Sequence, residues 1–468
     1  LTNRAISRLS ALFVALFLLL AVRQAYVQIV AAPSLAARAS NPRHGLLDAR
    51  RGRILATDGT VLAATTNGKR VYPFGASLAH TVGYASARYG TSGLEDAYDR
   101  ALTPPETGGD PATQVRSILA AFGGKAGDAH GADVVTTIVP AIQNALYARL
   151  SRQSRGAGVV LDPRTGAVLA MTAVPSFDPN AIDAIFAALN TDKSSPLLDR
   201  SIDGLYPPGS TFKIFTAAAA LDAQAVQMTD TFDDPGYLQV GDFRLHNDED
   251  ETTGTADLTR AFALSSNVDF AQIALKMGTD TFYTYLDRWG MGASLDFQIP
   301  ASRDRIPDKA SIVPGELAQM GFGQGALLMT PLQMALVGST IANAGNEPRP
   351  FLVRQLVRSG TVSSIYAPAW LATPISADTA ANVKKMMVAV VQYGTGTAAR
   401  IPGVTVAGKT GTATNPLGRS HSWFVCFAPA DQPRVAVAVL VENVGYGATY
   451  ALPIARDVLA TALKAVPQ

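Results

Sequence analysis

The sequence predicts an α+β protein: an antiparallel sheet with a helical subdomain, a cleft between the two, and a smaller mixed module in front. Two features carry that expectation. Strand-like segments at residues 159–172 and 423–441 bracket a long stretch that reads as largely helical. Within the second segment, residues 423–428 and 435–441 are rich in β-branched or aromatic side chains. The turn-forming Pro429-Ala-Asp-Gln-Pro433 joins them, which is the pattern of an antiparallel hairpin.

Taken from the N-terminus, residues 9–22 are apolar, Arg23 interrupts, and apolar character resumes over residues 26–32. Counted as one helix over residues 9–30, the run is long enough for a membrane span of about 20 residues, with Arg23 snorkelling to the interface. Residues 1–8 are then a tail, and charge does not orient the span, because Arg4 and Arg8 on one side are balanced by Arg23 and Arg38 on the other. The competing reading is a cleaved signal peptide ending at Ala37-Arg-Ala39, but that site lies far from the apolar run, so a retained anchor is favoured. Leu1 leaves a non-standard start or a truncation open. Residues 31–150 read as a linker and a small pedestal module. In it Thr57-Asp-Gly-Thr60 is a hairpin turn, and Glu95 with Asp96 is a solvated face. Polar residues 103–113 and Gly-rich residues 123–131 interrupt the module. Residues 155–468 form the main domain, closed by a helix over residues 450–463.

Composition excludes several functions. A net charge of +2, with no block of Lys and Arg, gives no reason to expect nucleic acid. The single Cys426 precludes an internal disulfide or a cysteine zinc site and reads as a buried structural thiol. Five scattered histidines lack metal-ligand spacing, so no metal and no cofactor are expected.

Chemistry concentrates in three places. In Tyr206-Pro-Pro-Gly-Ser-Thr-Phe-Lys213, two prolines and a glycine cannot continue a helix backwards, so a helix begins near Ser210 and runs through residues 214–221. Positions i and i+3 share a helix face, which sets the Lys213 amine beside the Ser210 hydroxyl and makes an activated nucleophile. Leu264-Ser-Ser-Asn267 falls between two helix-compatible stretches, residues 258–264 and 268–275, and reads as their junction. Lys409-Thr-Gly-Thr412 follows the strand-like Gly403-Val-Thr-Val-Ala407 and sits on an edge strand beside the hairpin. Each motif alone is weak, since a Ser-x-x-Lys occurs by chance and Ser-Ser-Asn is an ordinary cap. The three in this order are not attributable to chance.

At these residues the chain resembles the penicillin-binding proteins, the serine D,D-transpeptidases that cross-link peptidoglycan, in their monofunctional, class B type. Further likenesses are Gly158–Ala170, Leu198-Asp-Arg-Ser-Ile202, Gly321-Phe-Gly-Gln-Gly325, Thr330–Ala335, Gly394-Thr-Gly-Thr-Ala398 and, upstream, Arg51-Gly-Arg-Ile54 and Gly93-Leu-Glu95. The resemblance implies the fold shared with serine β-lactamases. It also implies that Ser210 forms an acyl-enzyme and that Lys213 takes its proton, with a pKa lowered by burial and by the charge of Lys409. Ser265 passes the proton onward, and Asn267 holds Lys213 and a substrate carbonyl. Lys409, Thr410, Gly411 and Thr412 form the motif that binds the terminal carboxylate, and the backbone N–H groups of Ser210 and Thr412 form the oxyanion hole. Implied partners are stem peptides, β-lactams and a separate membrane glycan polymerase. A D,D-carboxypeptidase, a β-lactamase or a non-catalytic sensor stays open. The second motif is neither the Ser-Asp-Asn nor the Ser-x-Val of the β-lactamases. No acidic residue is identified for deacylation either: residues 248–251 read as a solvated loop, and Glu316 has no motif context.

Overall fold

The computed structural model describes residues 3–26, 50–104, 130–248, 251–415 and 418–466. The expected linker at residues 31–42, the last residues of the expected span and most of the two interruptions at 103–113 and 123–131 lie outside them. At the N-terminus a helix runs from Asn3 to Ala25 without a break at the expected start of the span. Among the described residues, no helix is long and apolar enough to cross a membrane.

The main sheet has five antiparallel strands in the order Ala407–Asn415, Gly418–Ala428, Val435–Val441, Gly156–Leu161 and Val168–Val174. Its hairpin pairs Phe424 with Val439 and Cys426 with Val437, as the β-branched runs foretold. Side chains alternate along a strand with period two. Accordingly Trp423, Val425 and Phe427 enter one core while Phe424, Cys426 and Ala428 enter the other. The closing helix, Ala451–Ala465, buries Leu452, Ala455, Leu459 and Ala462 in that second core. Helix Pro140–Leu150 adds Ile142, Leu146 and Leu150 to it. This helix, which the sequence reading grouped with the first module, therefore packs on the main sheet. Cys426 is fully buried there, and burial pushes its thiol pKa up.

The opposite face carries helices Pro331–Ala342 and Lys213–Asp222, the latter with Phe215 stacked on Phe212. The expected strand at residues 403–407 is mostly a turn: Gly403 has φ +74°, Ile401 bridges Val404, and the edge strand begins only at Ala407. Alternation in so short a segment cannot distinguish a tight turn from a strand.

The front module is a six-stranded sheet in the order Thr361–Ile365, Val353–Arg358, Asp133–Thr136, Ile54–Leu55, Val61–Thr66 and Lys69–Val71. Two of its strands come from far downstream, so the module is not contiguous in sequence. Residues 57–60 make the expected turn: Ala56 N donates to Thr60 O (2.8 Å), and Asp58 Oδ1 accepts from Thr60 N (2.9 Å). Gly59 takes φ +86°, a conformation that L side chains rarely adopt.

Glu95 corrects the sequence reading. It is fully buried, not solvated, and its Oε2 accepts from Arg51 Nε (3.0 Å) and NH2 (2.8 Å) while Oε1 accepts from Arg70 Nε (2.6 Å). Asp96 is exposed as expected. Because both arginines come from other segments of the module, local sequence around Glu95 gave no sign of them. Arg51 also pairs with Asp99 (2.7 Å), so two carboxylates, Glu95 shared and Asp99 at the edge, balance two buried guanidiniums. Removing one partner of such a cluster typically costs about 3–5 kcal/mol, because the remaining charges stay buried and unpaired. Glu95→Ala is expected to destabilise the protein by about that amount and Glu95→Gln by less, as read from urea unfolding.

Candidate active site

The three motifs meet at one cleft of about 540 Å³, whose lining includes Ser210, Ser265, Thr410 and Thr412. Ser210 lies in a 3₁₀ turn, Gly209–Phe212, and the α-helix starts only at Lys213. Three contacts fix this turn. Tyr206 exchanges backbone hydrogen bonds with Met329 (3.0 and 2.8 Å), Trp423 Nε1 donates to Pro207 O (3.0 Å), and Gly209 N donates to Gly323 O (2.8 Å). Gly209 has φ +53°, and a Cβ there would stand 2.6 Å from Thr412 O. Only glycine lets the nucleophile turn approach the edge strand this closely. The Tyr206 hydroxyl donates to Glu442 Oε1 (2.7 Å), which also pairs with Arg200 (2.7 Å). Ser210 Oγ has no hydrogen-bond partner among the described residues.

Lys213 is fully buried, and its amine turns to the second motif. Nζ donates to Ser265 O (2.6 Å), to Asn267 Oδ1 (2.8 Å) and, at 3.3 Å, to Ser265 Oγ. No hydrogen bond joins it to Ser210. Lys409, also fully buried, donates to the same Ser265 Oγ (2.8 Å) and to Thr410 O (3.1 Å). Both amines therefore converge on one hydroxyl. Ser265 holds a left-handed conformation, φ +67°, between helices Leu258–Leu264 and Asn267–Met277. Such a backbone costs a non-glycine residue roughly 1–2 kcal/mol, and the bonds from the two lysines hold it in place.

Beneath that junction is a polar network that the motifs alone did not reveal. Ser266 Oγ accepts from Asp269 N (3.0 Å), and Asn247 Oδ1 accepts from Asn267 N (2.7 Å) and Val268 N (3.1 Å), so two side chains cap one helix. Asn267 Nδ2 donates to His246 O (3.0 Å), which uses one of its two amide protons. Asp234 Oδ2 accepts from Asn247 Nδ2 (2.7 Å), Thr253 Oγ1 (2.8 Å) and Ser266 Oγ (2.9 Å).

Electrostatics follow from burial. Desolvation brings Lys213 down to about 7, against the pull of Asp248, Asp269 and Asp234 towards the charged form. Lys409 is pushed well below the usual lysine value by burial and then by the charge of Lys213. Burial lowers Lys213 as expected, whereas the charge of Lys409 is not among the causes; the repulsion lowers Lys409 instead. Asp269 is raised to about 6 by burial and by Asp234.

The predicted carboxylate motif divides by strand face. Thr410 and Thr412, two apart, both line the cleft, whereas Lys409 faces Ser265. Gly411 serves packing, since a Cβ would meet Thr211 Cγ2 at 2.8 Å and Trp423 Cβ at 3.0 Å. Thr412 Oγ1 accepts from Gly447 N (3.4 Å), and Gln324 Nε2 donates to Thr412 O (3.5 Å). Sequence reasoning missed Asn247, Tyr393, Thr395 and residues 446–449 as cleft residues. It also took residues 248–251 for a solvated loop away from the site: Asp248 and Glu251 are exposed, yet they line this cleft. A polar run reads as solvated whether it edges a cleft or not, and only the fold distinguishes the two. Among the described residues, no three His, Cys, Asp or Glu side chains converge as metal ligands.

Known proteins resemble this chain over nearly its whole length. Residues 156–460 match the penicillin binding protein transpeptidase domain, and residues 51–134 match the penicillin binding protein A dimerisation domain. Peptidoglycan D,D-transpeptidase PbpA of Mycolicibacterium smegmatis is 36% identical over 99% of both chains. Its namesake in Mycobacterium tuberculosis is 34% identical over 99% of this chain and 100% of its own. The ceftriaxone acyl-enzyme complex of M. tuberculosis penicillin-binding protein A has a TM-score of 0.79 at 33% identity, covering 89% of this chain and 100% of that one. The D,D-transpeptidase domain of a peptidoglycan glycosyltransferase from Eggerthella lenta gives 0.79 at 35% identity, over 88% and 98%.

The raised carboxyl makes a testable statement about stability. Asp269 titrates near 3.8 when unfolded and at about 6 when folded. The folded state therefore binds more protons between these values, and stability falls as pH rises through them. Asp269→Asn removes that loss. The variant is expected to match the parent's stability near pH 4 and to exceed it at pH 7, measured by urea unfolding at both. A constant difference across the range would mean that Asp269 does not titrate in this interval.

Proposed function

The chain belongs to the penicillin-binding protein transpeptidases, and on that footing we propose that it is a peptidoglycan D,D-transpeptidase acting through a Ser210 acyl-enzyme. The observation that carries the assignment of roles is the convergence of Lys213 and Lys409 on Ser265 beside an unpartnered Ser210 hydroxyl. Ser210 Oγ attacks the carbonyl between the last two D-alanines of a stem peptide. Its proton passes to neutral Lys213, which the buried site keeps as a base near neutral pH. The tetrahedral intermediate is held by the backbone N–H groups of Ser210 and Thr412. As the C–N bond breaks, the proton travels through Ser265 to the leaving nitrogen, and D-alanine departs. An amine of a second stem peptide then attacks the ester, forms the cross-link and frees Ser210.

Thr410 and Thr412 donate to the donor's terminal carboxylate, while buried Lys409 donates to Ser265 Oγ from behind and fixes it. Asn267 orients Lys213, and its second amide proton is available to a substrate carbonyl. β-Lactams enter as mimics of the donor. Support comes from one relative, penicillin-binding protein A of M. tuberculosis, captured as an acyl-enzyme with ceftriaxone, imipenem and penicillin G. Residues 155–468 with helix Pro140–Leu150 make up the transpeptidase domain, except for the strands within residues 353–365, which join the earlier residues in a pedestal.

Residues 9–30 anchor the chain in the bacterial cell membrane with the catalytic domain outside. Leu12, Phe13, Val14 and residues 16–20 of the N-terminal helix are exposed apolar side chains, which favours burial in lipid. A separate membrane glycan polymerase supplies the strands to be cross-linked.

Three outcomes test this reading. Purified protein given lipid-linked glycan strands is expected to yield cross-linked dimers; release of D-alanine without dimers would make it a carboxypeptidase. Ser210→Ala is expected to abolish labelling by fluorescent penicillin with the unfolding midpoint nearly unchanged, and labelling at another serine would sink the assignment. Acylation by penicillin is expected to accelerate as pH rises through about 7, where Lys213 loses its proton. A flat profile between pH 6 and 8 would remove Lys213 as the base.

A further inference from the structure

Gly394-Thr-Gly-Thr-Ala398 enters the cleft at one point. Thr395 Oγ1 lies 2.6 Å from Thr410 Oγ1, close enough that one hydroxyl must donate to the other. Thr395 is exposed in the cleft, whereas Thr410 is 7% exposed. The backbone around Thr395 is pinned on both sides. Thr395 N donates to Ala263 O (3.1 Å), and Gly396 N donates to Val390 O (3.0 Å). A Cβ on Gly394 would stand 2.2 Å from Ala263 O, so only glycine permits this approach. Ala263 is two residues before Ser265 on helix Leu258–Leu264. Thr395 thus spans from the Ser-x-Asn junction to the edge strand. Thr410 is fixed in turn, because Lys409 Nζ holds its carbonyl (3.1 Å).

Two hydroxyls in contact place one proton between them and leave the other free. If Thr410 donated to Thr395, its proton would be spent and it could not donate to an anion. When Thr395 donates, the Thr410 O–H is left for the cleft, and accepting a hydrogen bond makes it a stronger donor. An anion in the cleft favours this second arrangement, since both dipoles then point their positive ends towards it. We infer that Thr395 is a positioning residue for the terminal carboxylate of the donor peptide, its hydroxyl directing the Thr410 O–H into the cleft. This rests on the reading that Thr410 binds that carboxylate.

The test compares benzylpenicillin with its methyl ester, which lacks the negative charge. Second-order acylation rates are taken by intact-mass spectrometry for the parent, Thr395→Val, Thr395→Ser and Thr410→Val. Thr395→Val keeps the side-chain shape and removes the donor. It is expected to lower the rate ratio of acid to ester about five- to tenfold, the range of one ordinary hydrogen bond. The loss is expected in the initial binding constant, with the acylation step at saturation little changed. Thr395→Ser is expected to restore the ratio, which a purely structural role for the threonine methyl would not allow. If Thr410→Val lowers the ratio and Thr395→Val does not, the inference about Thr395 is wrong and the carboxylate reading stands. If Thr410→Val leaves the ratio unchanged, the carboxylate reading of Thr410 falls, and the inference with it.

Discussion

Two buried amines on one serine hydroxyl are the constraint around which this molecule is organised. Lys213 and Lys409 are both fully buried, and neither makes an ion pair among the described residues. Burying an ammonium without a paired anion costs several kcal/mol, so the site lowers both affinities for the proton. The nearby carboxylates, Asp234, Asp248 and Asp269, oppose this without cancelling it. Burial thereby brings Lys213, an ordinarily cationic side chain, down to about 7, and the helical subdomain provides that burial.

Keeping two amines on one hydroxyl requires three remote segments to hold position within tenths of an ångström. Ser265 does so at the cost of a left-handed backbone between two helices. Caps from Ser266 and Asn247 start the second helix at once, so the junction has no slack. On the opposite wall, Gly209 allows the nucleophile turn to press on Thr412, and Trp423 clamps Pro207. The edge strand thus bounds Ser210, Lys213 and the cleft-lining hydroxyls of Thr410 and Thr412 together. Strain at Ser265 and close contact at Gly209 are stored where the chemistry is, and the large apolar cores on both faces of the sheet sustain them.

The front module obeys a different rule. Its centre is ionic, with Arg51 and Arg70 paired to buried Glu95 and Arg51 also to Asp99. Strands from residues 353–365 complete its sheet, so the module is tied to the catalytic part by the chain itself. Helix Pro140–Leu150 makes the same tie in reverse, since it starts after a strand of the front sheet and buries its apolar side in the main one. Each unit therefore contributes elements to the other.

The sequence by itself determined the fold class, the hairpin, the closing helix and the three motifs, because each is written in local signals: period-two alternation, turn residues, and helix breakers ahead of Ser210. It could not determine which side chains meet across the chain. Glu95 read as solvated because its arginines are 25 and 44 residues away. Asp248 read as a loop residue because nothing local marks the rim of a cleft. Lys213 was placed beside Ser210 by helix spacing, yet its amine turned to Ser265 and Asn267, 52 and 54 residues on, where its hydrogen bonds are satisfied. Thr395 was legible as part of a motif and not as the neighbour of Thr410. Contacts of this kind, and the pKa values that follow from them, depend on burial, and burial exists only once distant segments have closed over the same space.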